Sequence, residues 1–264
     1  MKLNIISGDP TVTVITPTIA SPKLVDAVRS VNKQNYPKVK HYVVCDGYQY
    51  HMPAHEILDE AGLTGLPDFQ STTLYENVGA NGFYGHRIYA AFSHLVNSDY
   101  VLFLDEDNWY EPDHIESMVE TVSKGNSFAY SFRNIYSDDK NFICQDNCES
   151  LGMWPIYLTN GPDAAKHQFL IDTSSFIFKR DFLIQCAHMW HSGWGGDRRF
   201  FYAVKDQVKW DCNYRYSLNY RLDGNSGSVN DQFFLEGNRK QAEFYKDGFP
   251  WQKLTTSTSP KTSS

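Results

Sequence analysis

The run Tyr100-Val101-Leu102-Phe103-Leu104 is apolar throughout and stops at three consecutive acids, Asp105, Glu106 and Asp107. Side chains of a strand alternate between its two faces, so a strand with no polar face has to be covered on both sides. The natural place for it is the centre of a mostly parallel sheet with helices above and below.

The preceding residues fit that placement. Thr11–Thr16 is a β-branched run closed by Pro17, which predicts a buried strand ending at a loop. Pro22–Asn32 sets Leu24, Val25, Val28 and Val31 at helical spacing behind a capping Ser21. His41–Cys45 reads as a second strand running into Asp46-Gly47, Ala54–Ala61 as a short helix, Thr72–Tyr75 as a strand and Arg87–Val96 as a helix. Strands alternating with helices imply a parallel sheet with right-handed crossovers, and ligands of such sheets bind beyond the carboxyl ends of the strands. Thr16, Asp46 and Asp105 are therefore expected to meet at one rim.

The second half is less regular. Helices are expected over 113–123, 180–190 and 197–204, and strands over 127–132 and 172–178. Gln145–Gly161 reads as a long ordered loop. Tyr220–Gly237, polar and rich in Gly and Ser, reads as a flexible lid. The Ser/Thr/Pro-rich tail 255–264 has too little apolar area to bury and is expected to be disordered.

Three adjacent carboxylates repel one another, and a hard divalent cation is the simplest compensation. Mg2+ and Mn2+ are held by one or two carboxylates, with water and substrate phosphate completing the shell, so Asp105-x-Asp107 suggests a metal–diphosphate site. Acids that merely face solvent are the alternative. An EF-hand fails at the obligatory glycine, where Tyr110 stands. Gly79, Gly82 and Gly85 precede the Arg87 helix without matching a dinucleotide or P-loop fingerprint, though such a loop can approach a phosphate, with Arg87 adding a donor. The five cysteines are odd in number and scattered, which does not suit a disulfide framework, and Cys144/Cys148 lack a second pair at zinc spacing.

A net charge of −7 provides no basic footprint for nucleic acid. No run approaches the roughly 20 apolar residues of a membrane span. The expected location is cytoplasmic, with peripheral attachment to a membrane left open, and the oligomeric state is not legible.

Val14–Ala20 (VITPTIA), Val43–Gly47 (VVCDG), Glu76–Arg87 (ENVGANGFYGHR) and Tyr100–Trp109 (YVLFLDEDNW), in this order, resemble the inverting glycosyltransferases of family 2, and Gly193–Phe200 (GWGGDRRF) resembles their later acidic motif. The resemblance covers residues 11–125 closely and 170–205 more loosely. It implies an α/β fold of the GT-A type (Rossmann-like) with a C-terminal acceptor-binding lobe: residues 1–125 as the nucleotide-sugar half and 126–254 as the acceptor and catalytic half. It also implies a nucleotide-diphosphate sugar as donor, most often UDP-linked, with Mn2+ or Mg2+ and a hydroxyl acceptor such as a glycan. Thr16 and Pro17 would then border the base and Asp46 would bond to it. Gly79 and Arg87 would line the nucleotide pocket. Asp105 and Glu106 would contact the donor, Asp107 with Asp105 would hold the metal, and Asp197 would be the catalytic base. Two positions depart from the family pattern: Ile88 stands where Asn is common, and Gly196 replaces the usual Glu.

For acceptor binding, Trp154, Tyr157, Trp190 and Trp194 offer flat apolar faces that could stack on a sugar. His167, His188 and His191 could add a metal ligand, although a structural role suits each of them better. Asp197 could instead be a helix N-cap. Two other readings stay open: a nucleotidyltransferase making the sugar nucleotide, and a non-catalytic nucleotide- or carbohydrate-binding protein of the same fold.

Overall fold

The structure, a computed structural model, describes residues 8–79, 82–157, 168–224 and 229–255. The chain order is β1 (Val12–Thr18), α1 (Leu24–Asn32), β2 (Val39–Cys45), α2 (His51–Glu60), β3 (Phe69–Thr73), α3 (His86–Leu95), β4 (Tyr100–Phe103), β5 (Trp109–Tyr110) and α4 (His114–Val122). The second half adds β6 (Phe128–Tyr136), β7 (Phe142–Gln145), β8 (Phe176–Lys179), α5 (Arg180–Cys186), α6 (Gly196–Val204), β9 (Trp210–Arg221), α7 (Asp231–Phe244) and α8 (Pro250–Thr255).

The described strands form one sheet in the order β3-β2-β1-β4-β8-β6-β9-β5, with β7 beside β6. From β3 to β4 every pairing is parallel. β8 then runs antiparallel between β4 and β6, while β6 and β9 are parallel. Both halves of the chain thus share one sheet.

β4 is covered on both faces, as its composition requires. Val101 and Phe103 pack with Ile88, Tyr89 and Phe92 of α3 and with an aromatic cluster of Phe176, Phe178, Trp190 and Phe200. Tyr100 and Leu102, with Leu104 just beyond the strand, pack on the opposite side with Ala27 and Val31 of α1 and Ile115, Met118 and Val122 of α4.

Several expectations are corrected here. β1 does not stop before Pro17 but runs to Thr18, because β4 pairs with it only as far as Ile15 and the missing proline N–H interrupts no ladder on that side. The segment read as a lid is the end of β9 followed by α7, whose N-cap Asn230 accepts from Phe233 N at 2.9 Å. Residues 225–228, and 256–264 of the tail, lie outside the described residues, as do 158–161 of the expected loop and His167. The five cysteines are free thiols.

Candidate active site

At the carboxyl ends of β1, β2 and β4 lies a cavity of 310 Å3 whose walls include Pro17, Thr18, Asp46, Gly85 and His86 together with Asp105, Glu106 and Asp107. Of the three residues expected at this rim, Asp46 and Asp105 meet here and Thr16 does not. Asp46 is buried, and its Oδ1 and Oδ2 accept the backbone N–H groups of Val78 (2.6 Å) and Gly79 (2.7 Å). A Cβ at Gly79 would sit 2.2 Å from Asp46 Oδ2, so the close approach requires glycine.

The three acids differ in their surroundings. Asp105 accepts from Tyr89 Oη (2.8 Å) on one oxygen and from Ser174 Oγ (3.0 Å) on the other. Glu106 turns to the β1–α1 loop, accepting from Thr18 Oγ1, Ile19 N (3.2 Å) and Ser21 N (3.0 Å). Burial keeps its carboxyl above the usual range despite those bonds. Asp107 is pushed up to about 7 by burial and by the charges of Asp105 and Glu106. Asp105 and Asp107 are the residues that could hold a divalent cation. Among the described residues no three His, Cys, Asp or Glu groups converge to hold one alone, so water and phosphate would complete its shell.

More acids approach from the second half. Arg133 on β6 is buried and donates to Asp146 (2.7 Å), Asp172 (2.7 Å) and Glu149. Burial opposes its charge, but the three carboxylates more than offset that. Asp172, which also caps the 173–175 turn through Ser174 N, is pushed to about 6, chiefly by burial. Asp197, in the first turn of α6, is likewise pushed to about 6 by burial and the charge of Asp172. Its Oδ1 accepts from Arg198 N at 2.7 Å.

The model of the family described as glycosyl transferase family 2 matches residues 13–186. The chain belongs to this family. No curated protein sequence matches it. Among solved structures it resembles S. aureus TarS 1-349 in complex with UDP-GlcNAc, at 13% identity and a TM-score of 0.57, over 87% of this chain and 64% of that one. The UDP complex of the same piece gives 13% and 0.55 over 80% and 60%, and S. aureus TarS itself 12% and 0.54 over 96% and 46%. The chain thus spans 60–64% of the TarS 1-349 chains and less than half of the longer TarS chain. The likeness is one of fold: an α/β GT-A architecture.

Within this family 2 chain the expected site residues are distributed unevenly. Pro17, Asp46, Asp105, Glu106 and Asp107 line the cavity, and Gly79 packs on Asp46. Thr16 does not line it: the side chain is fully buried with Oγ1 bonded to His41 Nε2 (2.9 Å), and the strand-end hydroxyl is that of Thr18. Arg87 lays its guanidinium over the Phe83 ring (3.3 Å) and donates to Val78 O (3.2 Å), bracing the glycine-rich loop. Asp197 stands outside the cavity, with the charge of Asp172 acting on it. Of the four stacking candidates, Trp190 is core, stacked on Phe200 at 4.7 Å, Tyr157 is buried, and Trp154 packs against Trp251. Trp194 is 76% exposed.

His86, Tyr89, Ser174 and Tyr220 were not singled out from the sequence, yet they line or hold the site. Tyr220 had a signal: polar residues alternate along β9 from Asp211 through Asn213, Arg215, Ser217 and Asn219 to Arg221, which is a strand pattern.

Proposed function

We propose that the chain is a metal-assisted, inverting glycosyltransferase that moves a sugar from a nucleoside diphosphate, UDP by preference, to a hydroxyl of a glycan acceptor. The observation that carries this reading is the convergence of Asp46, Asp105 and Asp107 on one cavity at the strand ends of a family 2 fold. The UDP and UDP-GlcNAc complexes of TarS support the choice of nucleotide.

Asp105 and Asp107 fit a hard cation because burial among like charges disfavours the ionised form of Asp107, and a cation would relieve this. When bound, such an ion stabilises charge on a departing diphosphate. The protein groups do the remaining work. Tyr89 and Ser174 fix the Asp105 carboxylate, and Glu106 fixes the β1–α1 loop. In the reaction the acceptor oxygen bonds to the anomeric carbon as the bond to the diphosphate oxygen breaks. Asp197 takes the acceptor proton, for which a carboxyl raised to about 6 is well matched near neutral pH. The exposed Trp194, three residues before Asp197, offers a stacking face for the acceptor.

The test is ligand-induced stabilisation. UDP with Mn2+ raises the melting temperature of the wild type, and Asp107→Ala removes the metal-dependent part while leaving UDP alone unaffected. An Asp107→Ala variant that binds UDP–Mn2+ like wild type rejects the metal assignment. A wild type unmoved by every nucleotide in a panel rejects the donor reading.

A further inference from the structure

His86 opens α3, and its imidazole forms part of the cavity wall. Nδ1 lies 2.7 Å from the carbonyl oxygen of Ser192. A carbonyl only accepts, so Nδ1 carries the proton, and Nε2 has no hydrogen-bond partner among the described residues. The ring meets Trp190 edge to face at 5.9 Å, which fixes its plane.

The charges around the ring are one-sided. Asp46, Asp105, Glu106 and Asp107 share the cavity wall with it, and no Lys or Arg lines that wall among the described residues. Arg87 is engaged by Phe83 and Val78, and Lys23 pairs with Asp138 (2.5 Å). On the α6 side the ring feels the charge of Asp197, with Arg198 beside it. His86 is therefore the one described lining side chain able to present positive charge to an incoming anion.

Its other side touches the turn that leads to Asp197. A Cβ at Gly196 would lie 2.6 Å from His86 Nδ1, and one at Gly193 would lie 2.6 Å from Gly82 O. Glycine at both places lets the 192–196 turn rest directly on the 82–86 loop, with the Nδ1–H bond to Ser192 as its clasp. The contact requires glycine at 196: a side chain there would separate the two loops.

We propose that His86 is a substrate-binding residue of the transfer site: its Nε2–H donates to the β-phosphate of the donor while its Nδ1–H holds the turn carrying Asp197. The β-phosphate is chosen because the ring abuts Gly196, the residue before Asp197, where the sugar end of the donor must lie for Asp197 to serve as base. Both the leaving group and the base are thereby indexed to one imidazole. This inference rests on the donor reading above.

The test exploits the unlike shapes of two amides. His86→Asn keeps an N–H near Nδ1 and removes Nε2, whereas His86→Gln keeps an N–H near Nε2 and loses the clasp. Calorimetric binding of UDP and of UMP, each with Mn2+, is measured for the wild type and both variants, together with kcat on the UDP-sugar that the wild type turns over. His86→Asn is expected to weaken UDP about tenfold, the worth of one charged hydrogen bond, and to leave UMP unchanged. His86→Gln is expected to retain most of the UDP affinity and to lose kcat. A ratio of UDP to UMP affinity that is unaltered in His86→Asn overturns the proposal while leaving the donor reading intact. A wild type that binds neither nucleotide overturns both.

Discussion

Arg133 donates through Nη1 to Oδ2 of Asp172 at 2.7 Å, so an acid whose charge raises Asp197 is itself held by a cation from β6. The same guanidinium serves Asp146 and Glu149. Three carboxylates around one buried cation make the cation hard to replace. Removing one partner from a buried ion cluster costs about 3–5 kcal/mol, because charges are left uncompensated. Arg133→Met is expected to lower unfolding free energy by at least about 3 kcal/mol, read from urea denaturation. Arg133→Lys should recover only part of this, since one ammonium cannot span three carboxylates in the planar fork of arginine. An Arg133→Met protein as stable as wild type would show that the cluster contributes nothing to the fold.

Asp46 and Gly79 are expected to be coupled. Asp46→Asn replaces an acceptor oxygen with an NH2 group facing a backbone N–H, and Gly79→Ala drives a methyl into the same carboxylate. Each should cost about 1–3 kcal/mol through a lost or opposed buried hydrogen bond. The double variant should cost clearly less than the sum, since the second change disturbs a contact already broken. Additive losses in a double-mutant cycle, measured by thermal or urea unfolding, would show that the two act separately.

Much of this rim was legible, and the reason is local. β1, β2 and β4 announce themselves as short apolar or β-branched runs, and each ends in a polar residue that a parallel sheet must gather at one edge. The error at Thr16 came from reading Pro17 as a terminator. Whether a strand can pass through proline depends on which side its neighbours stop, and that is a property of the sheet. Arg133 and Asp172 lie 39 positions apart, and no sequence period links them. The role of His86 was hidden for a related reason: its partner Ser192 is 106 residues away, across two glycines whose purpose appears only when the loops are seen in contact. Trp190 looked like a sugar platform because a tryptophan has the same sequence signature whether it faces water or fills a core.

His41 supplies a prediction about acid stability. Burial pushes His41 and His114 each down to about 3, whereas in the unfolded chain a histidine titrates near 6.5. Between those values the unfolded state binds protons that the folded state refuses, so each histidine lowers stability as pH falls from about 6.5 toward 3. The raised acids Asp172 and Asp197 work in the opposite sense, their burial penalty easing as they protonate below about 6. A difference between variants isolates the histidine. His41→Gln should flatten the acid side of the stability curve between pH 4 and 6 by about one proton, or ~1.4 kcal/mol per pH unit, relative to wild type. Parallel curves would show that His41 is not held neutral in the fold.

Asp197 decides the mechanism. Its carboxylate bonds to the adjacent Arg198 N–H, a contact that an N-terminal helix acid makes whether or not it is catalytic, so position alone does not assign it a role. Its environment supports the proposed role. Burial and the charge of Asp172 raise it to about 6, so it is ionised at neutral pH yet basic enough to accept a hydroxyl proton as the bond to the sugar forms. Asp197→Asn keeps the shape and the acceptor oxygen for Arg198 N–H and removes the proton acceptor. Nucleotide binding and melting temperature should stay close to wild type, while kcat falls at least about 10²-fold. The wild-type kcat/KM should rise with pH to a plateau above about 6, and this rising limb should vanish from the residual activity of the asparagine variant. Gly195, not Asp197, is the N-cap of α6, so a purely structural carboxylate would do no more than accept the Arg198 N–H; asparagine would do that as well, and the variant would turn over normally with its pH limb intact. That result would remove Asp197 as the base and leave Asp172, also raised to about 6 and held by Arg133, as the acid to substitute next.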